Sequence, residues 1–225
     1  MVWVQSPERS WMEANQIEIK TLLLSIAAVA AVELATTLLV SQHPHEPMLI
    51  LAAARFLEII LIIIVVSIRQ EGLSSLGLKR SRLFLGLKRG LIWSTGFGVV
   101  AALCLAILFF IGVNGIALVQ VRLPATHSDI LIFFLVGGLI GPVAEEVFFR
   151  GVLYSFLRRW GVALAVVLST LIFVLPHLAG RGIPFTQTVG GIVFAVAYEV
   201  EGSLMVPITI HVLGNVAIFI LSLMA

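Results

Sequence analysis

Glu145 and Glu146 are adjacent, Arg150 follows four positions after Glu146, and all three sit inside an apolar segment long enough to cross a membrane. A charged side chain near the bilayer centre costs on the order of 3 kcal/mol on insertion scales, so this cluster demands polar partners at the same depth. His177, His211 and Asn215, each inside another apolar stretch, are the candidates. On a helix, Glu146 and Arg150 share a face and can neutralise each other, whereas Glu145 points about 100° away. Glu145 is therefore the carboxylate left for chemistry, and a buried carboxylate beside an imidazolium can be tuned to act as a general base on water. His211 and Asn215 are also four apart on one face. Both can donate hydrogen bonds to developing negative charge, which suits an oxyanion site.

Each pair also has a plainer reading. Glu146 with Arg150 can simply orient a helix, and His211 with Asn215 can be interhelical polar glue. On those readings the chain is a non-enzymatic membrane protein whose polar cluster is structural or binds a small ligand. One glutamate and two histidines also compose a set found in hydrolytic zinc sites, which would make a metal-dependent membrane protease. No H-E-x-x-H occurs and neither histidine has a second one at i+4, so no cofactor and no metal ligand is assigned.

The elements that must position these residues follow from composition. Of 225 residues, 60% are hydrophobic and only 12% charged, with mean hydropathy +1.13. Soluble domains carry about 25% charged residues, so an all-α, polytopic transmembrane bundle is expected, with the lipid bilayer as its first partner. The net charge of +2 calls for no nucleic acid. Apolar runs of about 20 residues predict seven spans, near 20–41, 47–68, 91–113, 129–150, 161–178, 187–201 and 203–224. Residues 1–19, with Trp3, Trp11 and several charges, read as a surface-lying amphipathic arm, and the first span as an uncleaved anchor. Lys and Arg concentrate between Arg69 and Arg89 and at Arg158 and Arg159, which places those loops and the N-terminus inside. At 1.5 Å per residue, Glu145, His177 and His211 all fall toward the middle of a core about 30 Å thick.

Other polar positions have local readings. Arg55 and Glu58 form a self-contained ion pair, Glu33 has no obvious partner, and His43, His45 and His127 lie in solvated outer loops. Cys104 reads as a packed small residue, Gly137 and Gly141 as a close helix contact, Pro207 as a kink below His211, and Gly214 as room for a neighbour beside Asn215.

Taken together, Glu145-Glu146-x-x-x-Arg150, Phe173-x-x-x-His177 and His211-x-x-x-Asn215, in this order, resemble the three signatures of the CPBP family. These are the CAAX proteases and bacteriocin-processing enzymes, or Abi proteins, glutamic-type intramembrane endopeptidases. The resemblance covers 129–224, with Gly190 and Gly202 where the family places glycines. It implies a four-helix catalytic core in 129–225, with 1–128 as variable membrane helices and a basic loop. It further implies that Glu145 and His177 activate water, that His211 and Asn215 hold the oxyanion, and that Glu146 and Arg150 support the site. The implied substrate is a membrane-delivered peptide or protein, possibly a C-terminal tail, and the implied setting is a prokaryotic cytoplasmic membrane. Eukaryotic members usually carry a further histidine just after the second motif. Here Leu178, Ala179 and Gly180 follow His177, which departs from the prenyl-protein branch.

Overall fold

Apolar runs this long leave the backbone one way to satisfy its own N–H and C=O groups in lipid, which is to form helices segment by segment. The structure is a computed structural model that describes residues 17–43, 47–70, 72–179 and 184–224. Among them there is no strand. The helices are α1 (Ile19–Gln42), α2 (Pro47–Arg69), α3 (Leu83–Phe110), α4 (His127–Trp160, a rod that changes pitch along its length), α5 (Val162–Val174, extended by a 3-10 turn Leu175–Ala179), α6 (Phe185–Glu201) and α7 (Met205–Met224). The arm at 1–16, His45 and Arg181 lie outside the described residues.

Five of these, α1 to α4 and α7, are long and apolar enough to cross a membrane. The other two expected spans are the shorter helices α5 and α6, which form a hairpin packed within the bundle. The third span begins eight positions before its expected start at residue 91, because Leu83, Phe84, Leu85 and Leu87 continue the apolar run through Lys88 and Arg89. The protein is thus a polytopic helical bundle and an integral membrane protein.

α4 is the centre of the fold, with α2, α5, α6 and α7 packed around it and α1 lying against α2. Its buried residues Val147, Val152, Leu153 and Tyr154 join Ile62 and Val66 of α2, Tyr198 of α6 and Leu204 in one core. α3 stands outside that core and touches α7 through Gly86 and Gly90. A Cβ at Gly86 would lie 2.5 Å from Ser203 Oγ, and one at Gly90 would lie 2.5 Å from Thr209 Cβ. Small residues let two helix backbones approach in this way. Most of the rest of α3 is exposed, Trp93 and Phe97 being half-buried, and Cys104 faces outward rather than packing inside.

Two glycines set the turns that bring the site together. Gly161 (φ 110°) reverses the chain between α4 and α5, and Gly202 (φ 59°) caps α6 in the left-handed region and hands over to α7. Pro207 falls in the first turn of α7, where a helix has no intrahelical use for that N–H. The expected kink is therefore absent and α7 runs unbroken to Met224.

Candidate active site

Around the double glutamate α4 is not a regular α-helix. An α-helical stretch, Gly141–Glu146, is flanked by π-helical turns at Val136–Ile140 and Val147–Tyr154. Pro142 cannot donate to the carbonyl four residues back, which loosens the turn before it. Wide turns of this kind re-aim side chains and recur at functional sites.

The two glutamates are divided by their surroundings. Glu146 and Arg150 are fully buried, and Arg150 Nη1 donates to Glu146 Oε1 at 2.9 Å. Arg150 Nη2 donates to the Gly191 carbonyl of α6 at 3.1 Å. Its guanidinium lies 4.7 Å from the ring centre of Phe173 and 5.2 Å from that of Phe194, within cation–π range. The same Glu146 Oε1 is 2.7 Å from His211 Nδ1. A carboxylate paired with arginine only accepts, so Nδ1 carries the proton and Nε2 is turned toward the other glutamate. His211 Nε2 stands 3.8 Å from Glu145 Oε2, and the Glu145 side chain is 28% exposed against 0% for Glu146. Glu145 is the accessible carboxylate.

His177 sits on the 3-10 turn after α5, where its Nδ1 lies 3.0 Å from the Phe173 carbonyl. A carbonyl also only accepts, so Nε2 of His177 presents a lone pair. Phe173 joins the two histidines. Its ring centre is 5.3 Å from that of His177 and 6.0 Å, edge-on, from that of His211. Asn215 lies one turn beyond His211 and donates Nδ2 to the Gly137 carbonyl in the first π-turn, at 2.8 Å. One amide hydrogen remains available beside it. Glu145, Glu146, Arg150, His211 and Asn215 thus meet where α4 crosses α7, with His177 tied to them through Phe173. No ion pair joins His177 to Glu145 among the described residues, nor does any group of three His, Cys, Asp or Glu side chains converge to hold a metal.

Several expectations change in detail. Gly137 and Gly138, not Gly137 and Gly141, make the close contact, with Phe219 and Val216 of α7. Gly214 faces open space. Arg55 is not confined to Glu58. It bridges Glu58 and Glu33, each at 2.6 Å, which supplies the partner Glu33 lacks in the sequence. Two further features have no signature in spacing. One is the aromatic cage around Arg150. The other is the latch in which Arg158 and Tyr154 of α4 all bond Glu199 of α6 at 2.8 Å. An acidic residue at the end of one apolar helix and a basic one at the end of another hint at the latch but do not pair them.

With this geometry in place, comparison with known proteins is direct. Residues 127–217 match the family model described as type II CAAX prenyl endopeptidase Rce1-like. A membrane-embedded CAAX protease of Staphylococcus aureus, MroQ, is 36% identical over 107 residues, which cover 44% of this chain and 42% of MroQ. The chain therefore matches under half the length of that curated relative. No solved structure gives a significant match. The segment 127–217, which is similar to that family and to part of MroQ, holds all six polar residues of the site.

Proposed function

We propose that the chain is an intramembrane endopeptidase of the glutamic type, hydrolysing a peptide bond in a membrane-delivered peptide or protein tail. The observation that carries this reading is the split glutamate pair. One carboxylate is sealed by Arg150 and His211 Nδ1, while the other is accessible and 3.8 Å from His211 Nε2. A purely structural cluster would have no reason to leave a second carboxylate accessible at such depth, at a cost of about 3 kcal/mol. The relatives' names, a CAAX prenyl endopeptidase and a membrane-embedded CAAX protease, agree with cleavage near a C-terminus.

In this reading Glu145, with the Nε2 lone pair of His177, takes a proton from water as the water oxygen bonds to the scissile carbonyl carbon. The carbonyl π electrons move onto oxygen, where the protonated form of His211 and the free amide hydrogen of Asn215 donate to it. Collapse breaks the C–N bond, and the proton held by Glu145 passes to the departing amine. Glu146 orients the imidazole of His211, as a buried carboxylate does in other hydrolytic sites. Arg150 holds Glu146 in place.

The test is the nearly isosteric Glu145→Gln. C-termini of membrane proteins are compared between cells carrying the wild-type chain and cells carrying the variant. Cleavage should fall by about 10²- to 10⁴-fold, the usual contribution of a general base. Cleavage of a native substrate at the wild-type rate would sink the assignment.

A further inference from the structure

None of the six polar site residues comes from α6, yet one side chain of that helix lies against both His211 and Arg150. The Phe194 ring is stacked on His211 with centres 4.6 Å apart and planes 24° apart, and it lies 5.2 Å from the Arg150 guanidinium. Such a stack fixes a ring plane that a hydrogen bond at Nδ1 leaves free to rotate about the bond. The Glu146 contact sets how far the imidazole reaches. The stacked phenyl sets which way it faces, and with it the aim of Nε2.

The α6 sequence is built to keep that phenyl where it is. Side chains of a helix lean back over the preceding turn, so Phe194 lies over Gly190. A Cβ at Gly190 would meet Phe194 Cζ at 3.2 Å and Cε2 at 3.3 Å, closer than the ring can accept without shifting. The next glycine does the same for Arg150. A Cβ at Gly191 would stand 2.8 Å from Thr170 Cγ2 and 3.3 Å from Phe173, holding away the carbonyl that Arg150 bonds. Behind Phe194 the core of Ala197, Val206 and Ile210 is closed by Trp93 and Phe97 of α3. Trp93 is itself anchored to α6 by a 2.9 Å bond to Glu201.

We propose that Phe194, seated over Gly190, is a positioning residue that orients the His211 imidazole for the reaction. The proposal rests on the endopeptidase reading for its kinetic consequence but not for its geometry. Two arms of one experiment separate them, both on the full chain in detergent micelles. In the first, histidine labelled with ¹³C at Cε1 is observed by NMR. The stacked phenyl shifts the His211 signal upfield, and Phe194→Leu should move it downfield while His177 stays put. An unmoved His211 signal overturns the proposal.

In the second arm a quenched-fluorescence peptide carrying a farnesylated cysteine three residues before its C-terminus, and its unlipidated counterpart, serve as probes. Phe194→Leu should lower kcat about tenfold with KM within twofold, since small misplacements of a reacting group are felt as rate. Phe194→Tyr should recover most of that loss, and Gly190→Ala should share the defect by pushing the ring. A folded Phe194→Leu with wild-type kcat overturns the proposal, as does a loss that appears only in KM. If neither probe is cleaved, or if Glu145→Gln cleaves like the wild type, the endopeptidase reading fails on these probes and the NMR arm still decides the stacking.

Discussion

At the scale of single residues, the site turns on which of its two carboxylates is sealed and which is accessible. Glu146 is held by three groups from three helices: Arg150 on its own rod, His211 on α7, and, through Arg150, the Gly191 carbonyl on α6. Removing one partner of a buried ion pair leaves the other uncompensated and costs about 3–5 kcal/mol. Arg150→Gln and Glu146→Gln should therefore sharply lower the thermal unfolding midpoint in detergent, whereas Glu145→Gln should leave it near wild type. A Glu145→Gln protein as unstable as the other two would contradict the division. The helical spacing of four already showed that Glu146 and Arg150 face each other. What it could not show is the third member. His211 lies 65 residues away, and its natural partner by spacing is Asn215, yet its Nδ1 reaches Glu146 and Asn215 turns to Gly137. Periodicity reports which residues share a face and says nothing of which faces meet.

At the scale of elements, glycines report on helix contacts, and their neighbours tell which of them matter. α3 carries Gly86, Gly90, Gly96 and Gly98, identical in sequence terms. Only the first two touch α7. A methyl at Gly90 would strike Thr209 Cβ at 2.5 Å, an atom next to the backbone that cannot swing aside, whereas Gly96 and Gly98 face open space. Gly90→Ala should thus destabilise by about 1–3 kcal/mol through overpacking. Gly96→Ala and Gly98→Ala should be neutral or stabilising by about 0.5–1 kcal/mol, because alanine is the better helix former. The three variants compared by thermal unfolding test the contact. The apolar runs announced the helices themselves, although α4 continues to Trp160, ten residues past its expected end at 150. Its two π-turns were not announced, because the extra residue in each turn leaves the apolar pattern almost unchanged and is settled by Pro142 and by the packing of α7.

At the scale of the whole molecule, the question is what joins the N-terminal helices to those that carry the candidate site. α2 turns one stripe, Ala54, Glu58, Ile62 and Val66, inward against the core. Glu58 is 3% exposed and its Oε1 has no hydrogen-bond partner among the described residues, so its charge depends on Arg55. Arg55 also holds Glu33 of α1, whose side chain is 44% exposed, and thereby clamps the α1–α2 hairpin. A self-contained pair within α2 would leave α1 unattached at this depth. The observed bridge makes one guanidinium answer for two helices. Arg55→Gln should then be the most damaging change in the cluster, at about 3 kcal/mol or more, because it strands the buried Glu58 carboxylate. Glu33→Gln should cost far less, since its partner keeps Glu58 and the site is half-open. The double variant Arg55→Gln with Glu58→Gln should recover part of the loss, because no buried charge is then left alone. Thermal unfolding of the three proteins gives the comparison. A double variant as unstable as the sum of its single changes would mean that Arg55 acts through packing rather than charge, and that the hairpin is held to the rod α4 by its apolar stripe.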